Sequence, residues 1–221
     1  MPYDLTNPLV IGISSRALFD LEEENRIFEQ QGLTAYMEYQ VQNEEKILQP
    51  GAGFELVKAF LRLNEHEKSR RLVEVIIMSR NSPDTSLRIF KSIEQYGLDI
   101  TRAALVGGAS VAPYLSSFST DLFLSAYLPD VQEAINSGVA AGSLLTTGTA
   151  LNARRKVDQI RIAFDGDAVL FGAEAERIYQ QSGIEAFQEH ERSHADDLLP
   201  KGPFANFLMA LSNIQAMIPD R

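Results

Sequence analysis

The residues best equipped for chemistry lie in one string, Ile160-Arg161-Ile162-Ala163-Phe164-Asp165-Gly166-Asp167. An apolar run ends in two carboxylates separated by one glycine. Residues i and i+2 of an extended chain share a face, so the two carboxylates can converge. Gly166 lets the backbone turn and a ligand come close. Paired carboxylates repel each other unless a hard cation sits between them, and magnesium suits oxygen ligands. The carboxyl end of a parallel strand is where α/β sheets bind ligands. Such a pair suits phosphate-monoester hydrolysis, which becomes two easier steps through a covalent aspartyl-phosphate. Asp165 would attack phosphorus. Asp167 would protonate the leaving oxygen and then deprotonate the attacking water. The same three residues read equally well as an Asp-Gly-Asp turn.

A rival string is His190-Glu191-Arg192-Ser193-His194, which matches the H-E-x-x-H spacing of zinc proteases. Its spacer is polar where a buried zinc helix should be apolar, so a solvated helix is the favoured reading. The chain has no cysteine, which excludes disulfides, thiolate catalysis and cysteine-held zinc.

The elements that must position the acids follow from the apolar pattern. β-Branched-rich runs at Leu9–Ile13, Val73–Met78, Ala103–Val106, Leu122–Leu124, Val139–Leu145 and Ile160–Phe164 read as buried strands of a mainly parallel sheet. Helical patterns fall between and after them at Phe54–Leu63, Thr85–Tyr96, Val131–Asn136 and Phe204–Met217. That alternation predicts an α/β domain over 1–221 with helices on both faces of a Rossmann-like sheet. Two charged helical stretches, inside about 20–50 and 172–203, read as a small cap. Thr146–Lys156 reads as an exposed connection.

The sequence also repeats. Residues 26–38 match residues 177–189, with Arg26-Ile27-Phe28 against Arg177-Ile178-Tyr179 and Gly32 against Gly183. Upstream, Ala17-Leu18-Phe19 parallels Val169-Leu170-Phe171. Downstream, Pro50 and Phe54 parallel Pro200 and Phe204. Preserved order over the whole unit points to duplication.

Phe164-Asp165-Gly166-Asp167-Ala168-Val169-Leu170-Phe171 resembles the first motif of the haloacid dehalogenase (HAD) superfamily, and in full it resembles the cytosolic 5'-nucleotidase type I family. The likeness extends to Ser14-Ser15-Arg16-Ala17-Leu18-Phe19, Met78-Ser79-Arg80-Asn81, Gly107-Gly108-Ala109-Ser110, Leu122-Phe123-Leu124-Ser125-Ala126 and Glu176-Arg177-Ile178. The resemblance implies a HAD-like core, permuted or partly duplicated, with a cap. It also implies magnesium dependence and hydrolysis of nucleoside 5'-monophosphates. By it, Ser79 would bind phosphate as the second motif's hydroxyl, with Asn81, Arg16 and Gly108 as neighbours. Asp165, Asp167 and Asp130 would hold the metal.

The chain departs from that pattern in three places. Ile13-Ser14-Ser15 stands in the first copy where Asp165-Gly166-Asp167 stands in the second, so the first copy lacks both carboxylates. The lysine expected after a Tyr-Leu pair is absent, because Tyr114-Leu115 leads to Ser116; neither Lys91 nor Lys156 takes its place on sequence grounds. Asp130 is the sole candidate from the fourth motif, and with Glu133 it reads equally as a helix capping box.

Net charge is −10, which disfavours nucleic-acid polymers as partners. No apolar run is long enough to span a bilayer and no signal peptide is visible, so cytoplasm is the expected address. Self-association into a homo-oligomer fits the class. Two alternatives stay open: a phosphatase for another small phosphomonoester, and a nucleotide-binding regulatory protein with weakened catalysis.

Overall fold

Five short runs rich in β-branched and aliphatic residues form the sheet of this computed structural model, which describes residues 8–145 and 159–218 apart from the side chain of Asp167. They are β1 (Leu9–Ile13), β2 (Val73–Ser79), β3 (Arg102–Leu105), β4 (Leu122–Ser125) and β5 (Ala140–Ser143). All pairings are parallel, in the order β3-β2-β1-β4-β5. The chain reverses direction across the sheet between β1 and β4, the place where doubly wound sheets open a crevice at their carboxyl ends. β1 and β2 are buried along their whole length, as a sheet covered on both faces requires.

Alternate residues serve two cores. Leu9, Ile11, Ile13, Val73, Val75, Ile77, Leu122 and Leu124 face one side, against α3 (Phe54–Arg62) and α4 (Leu87–Gln95). Val10, Ile76, Met78 and Phe123 face the other, against α5 (Ala112–Ser117) and α6 (Leu128–Asn136). α1 (Ser15–Leu18) is one turn after β1, and α2 (Glu22–Gln42) is the first cap helix. The second cap helix is α7 (Glu174–Ser193), and α8 (Ala205–Met217) buries Phe207 and Ile214 in the first core. Glu74, fully buried on β2, is held by Arg71 and Arg102.

The structure corrects two readings. Ile160–Phe164 is not a strand of this sheet. Ile160 and Phe164 are partly buried against the first core, but no backbone hydrogen bond reaches the segment among the described residues. A strand-like composition makes a ladder only beside another strand's unpaired edge, and among the described residues this segment pairs with neither outer strand, β3 or β5. Between β2 and α4, Ser82–Ser86 folds into its own turn, Thr85 N to Ser82 O at 3.2 Å and Ser86 N to Pro83 O at 3.2 Å. Asp130 and Glu133 form no capping box, since Tyr127 is the N-cap and Pro129 occupies the first turn. Thr146–Lys156 lies outside the described residues.

The duplication is visible in the backbone. α2 and α7 are interrupted by Gly32 (φ 84°, ψ −177°) and Gly183 (φ 80°, ψ −176°), a left-handed conformation that glycine adopts without a Cβ clash. Phe28 packs edge-on to Tyr36 at 6.0 Å, and Tyr179 edge-on to Phe187 at 6.1 Å. Each cap is closed at its base by one antiparallel bridge, Phe19 with Pro50 and Phe171 with Lys201. Gly51 N donates to Leu18 O at 2.9 Å, and Gly202 N to Leu170 O at 2.8 Å. These bonds shift the downstream register by one residue from the sequence pairing. Pro50 answers to Lys201, and Phe204 takes the N-cap place of Gly53.

Candidate active site

Asp165 ends an extended stretch and opens a five-residue π-helical turn, Gly166–Leu170. Its backbone (φ −75°, ψ 154°) matches that of Ser14 (φ −71°, ψ 148°), the N-cap of α1. The two copies thus present different side chains from one backbone position. The Ser14 hydroxyl accepts from Ala17 N at 3.3 Å and is buried. Asp165 is exposed, and among the described residues its Oδ1 accepts only from Gly166 N, at 2.7 Å. The second turn is one residue longer than the first, with Ala168 at φ 57° taking the strain. An acid at the N-terminal end of a turn also faces its unpaired N–H groups, which favour negative charge.

The remaining candidates gather at the carboxyl edge of the five-stranded sheet. Ser79 ends β2, buried, with its hydroxyl 3.0 Å from that of Ser15 and accepting from Asn81 N at 3.1 Å. Asn81 O accepts from Gly107 N at 3.2 Å, and Arg80 O from Gly108 N at 2.6 Å, so the glycine pair closes over this turn. Arg16 points outward into a two-toothed pair with Glu22, both bonds 3.0 Å. No hydrogen bond or ion pair among the described residues joins Asp165 to this edge.

Arg80 is the residue that sequence reasoning passed over, although it stands in the Met78-Ser79-Arg80-Asn81 string. Its guanidinium grips buried Asp130 through Nε at 2.8 Å and through a second nitrogen at 2.6 Å. It lies over the Tyr127 ring at 5.4 Å. The hydrogen bond to Asp130 raises the Arg80 pKa above its ordinary value. Asp130 is therefore neutralised by Arg80, which Glu133 also approaches at 3.7 Å. Among the described residues, no cluster of three or more His, Cys, Asp or Glu could hold a metal ion.

Behind the edge, the first cap inserts a buried polar group. Tyr36 accepts from Gln40 at 2.9 Å, and burial raises its phenol pKa. Glu24 and Arg88 form an ion pair with both side chains buried. In the second cap, α7 ends at Ser193, so His194 lies beyond the helix with Nδ1 2.9 Å from His190 O. That geometry uses a ring nitrogen of His194 locally.

Comparison with known proteins gives this architecture a family. The 5'-nucleotidase family model matches residues 1–221. Human cytosolic 5'-nucleotidase 1B is 36% identical over 214 residues, which cover 95% of this chain and 35% of the human protein. The chain thus spans about a third of the length of that curated relative. No solved structure is a significant match. The whole-chain match, the Rossmann-like sheet order and the acid pair after Phe164 agree: the chain belongs to the 5'-nucleotidase family.

Proposed function

We propose that this chain hydrolyses nucleoside 5'-monophosphates, with Asp165 as nucleophile and Asp167 as acid and base. The observation that carries the reading is the exposed Asp165 carboxylate, presented from the same backbone position that buries a serine in the first copy. Asp165 Oδ would bond to phosphorus as the nucleoside oxygen leaves with a proton from Asp167. Water would then attack the same phosphorus, giving its proton to Asp167 and releasing Asp165.

Two carboxylates fit magnesium, which usually keeps several waters and takes one or two acids plus substrate phosphate. Asp165 and Asp167 would hold it, and it would offset charge on the phosphoryl oxygens. Asp130 would join them only by giving up Arg80. Ser79 and Asn81 could turn their polar groups to phosphate at the sheet edge, and Arg16 could do so by leaving Glu22. The relative's name contains the word cytosolic, and among the described residues no helix is long and apolar enough to cross a membrane. We assign the chain the same address.

The test is phosphate release from a panel of nucleoside monophosphates and sugar phosphates in magnesium buffer. Asp165→Asn should lower turnover by about 10³-fold or more, the scale seen when a covalent nucleophile is removed. Undiminished turnover in that variant would remove the mechanism. A second reading, a nucleotide-binding regulator, is favoured by Arg80 neutralising Asp130 and by Ser14 standing in the first copy at the backbone position of Asp165. AMP binding without phosphate release would select it.

A further inference from the structure

The first cap is clasped to the core by polar groups. α4 lies in the cradle between α2 and the return segment 43–50. Arg88 Nε donates to Lys46 O at 2.6 Å, Arg88 also meets buried Glu24, and Lys91 bridges Glu44 and Glu45. Next to this clasp, at the carboxyl edge of β1 and β2, further polar side chains are sealed from solvent: Ser14, Ser15, Tyr36, Gln40, Ser79 and Thr85. One chain of contacts joins most of them. Ser15 Oγ lies 3.0 Å from Ser79 Oγ, which accepts from Asn81 N at 3.1 Å. Gln40 Nε2 donates to the Tyr36 phenol at 2.9 Å. Burial raises the pKa of that phenol, and the side chains of Gln40, Asn81 and Thr85 oppose the rise, which places all three beside it.

Three hydrogen-bonding groups in this chain of contacts are unmet among the described residues. Gln40 Oε1 and Asn81 Nδ2 are buried without a partner, and Gln40 as a whole is only 3% exposed. Of the two hydrogens on the Ser15–Ser79 pair, one joins the hydroxyls and the other finds no acceptor. A buried group left unpaired carries the full cost of its desolvation, so each such group calls for something that meets it. The cap fold does not require these groups. The second cap makes the same glycine kink and the same closing bridge with Phe187 in the place of Tyr36 and Glu191 in that of Gln40. There Glu191 belongs to an acidic rim with Glu174 and Glu176.

The charges at this edge are already balanced. Arg16 is held by Glu22, Arg80 by Asp130 and Arg88 by Glu24. A phosphate here would have to draw Arg16 or Arg80 off its acid, whereas an uncharged molecule disturbs neither pair. We infer that the carboxyl edge of the first copy, under its cap, is a non-catalytic site for an uncharged nucleoside whose base carries an amino group beside a ring nitrogen. The amino group donates to Gln40 Oε1, the ring nitrogen accepts from Asn81 Nδ2, and a sugar hydroxyl accepts the spare serine hydrogen. Ser14 stands at the backbone position of Asp165, so the ligand is held there and not turned over. Both unmet atoms are sealed, so the cap must lift to admit it. The choice of a nucleoside rests on the proposed hydrolysis, which releases one; the unmet donor and acceptor do not depend on it.

The test reads binding and no activity. Adenosine is the probe, added to the isotope-labelled 221-residue chain. The side-chain amide resonances of Gln40 and Asn81 and the backbone resonances of Ser15 and Ser79 should move, while those of Asp165–Phe171 should stay. Purine riboside, which lacks the amino group, should bind about tenfold more weakly because it leaves Gln40 Oε1 unmet, and this comparison needs no variant. Gln40→Met should weaken adenosine by a similar factor, Asp165→Asn should leave its affinity unchanged, and inorganic phosphate should not displace it. No movement with adenosine in large excess would overturn the inference and leave the unmet atoms to buried water. Equal affinity for purine riboside, displacement by phosphate, or movement confined to the second copy would each overturn it too. A chain that binds adenosine in this way but releases phosphate from no monophosphate would keep the site and lose the proposed hydrolysis.

Discussion

Residues 14–54 and 165–205 trace nearly the same path yet end in different surroundings. Both open at an extended N-cap, cross a helical turn, kink a cap helix at a left-handed glycine and close with one antiparallel bridge. In the first copy, Phe19 and Leu48 are sealed at 0% and 1% exposure. In the second, Phe171 stands 41% exposed. Local sequence is enough to set the turns, the kink and the bridge. Burial depends on what lies beside them, namely a paired strand and a helix in the cradle. The second copy has also kept Asp165 at the surface, while the first holds a buried serine, Ser14, in that place.

The comparison breaks most sharply at the aromatic position. Phe19→Ala should cost about 3–5 kcal/mol in urea unfolding, as large-to-small core changes do. It would also lose the ring contacts to Phe54 and Tyr96, both at 6.1 Å. Phe171→Ala, at a half-open site, should cost about 1 kcal/mol or less. Equal costs would show that the second cap is as closely packed as the first.

Next comes the buried ion pair. Glu24→Ala leaves Arg88 buried without its partner and should destabilise by about 3–5 kcal/mol. Ala175 holds the corresponding place in the second copy, and its acidic neighbour Glu174 is solvated. Glu174→Ala should therefore stay within about 0.5 kcal/mol. A large loss there would mean that the second rim already holds a cation.

Gly51 and Gly202 should behave alike, which tests the shared part of the design. A Cβ at Gly51 would lie 2.7 Å from the Phe19 carbonyl carbon, and one at Gly202 would lie 2.3 Å from Val169 O. Both obstacles are backbone, so each Gly→Ala should cost about 1–3 kcal/mol of local strain. The loss at Gly51 should appear in global unfolding. At Gly202 it should appear as faster amide exchange confined to the second cap.

What was legible in the sequence follows the same division. The matched Gly32 and Gly183 and the apolar runs that become the five strands could be read from spacing, because each is specified within a few residues. Ile160–Phe164 misled because its composition is that of a strand, while a ladder is a property of two segments. Arg80 with Asp130 and Arg88 with Glu24 join residues 50 and 64 positions apart, and neither leaves a local signature. The capping-box reading of Asp130 failed because Pro129 starts α6 early and carries Asp130 into its first turn, beside Arg80. The repeat predicted a second cap, but the one-residue shift that puts Phe204 at the Gly53 place came from backbone pairing alone.

The smallest effect separates β1 from its counterpart by charge. Asp121, just before β4, accepts from Val10 N at 2.8 Å; Arg161, in the Val10 place, has no such acceptor among the described residues. Burial pushes the Asp121 carboxyl above its ordinary pKa, and the Val10 N–H only partly opposes that. A carboxyl with a raised folded pKa binds its proton more tightly in the folded than in the unfolded chain. Its ionisation therefore costs stability as pH rises from the unfolded value of about 3.9 through the folded value. Asp121→Asn keeps an oxygen for Val10 N–H and removes the charge. Its melting temperature should equal that of the parent near the unfolded pKa, then exceed it by roughly 2 °C at neutral pH. A difference that does not grow between those two limits would show that Asp121 ionises without penalty, and that the first copy's sheet is no drier at this end than the second.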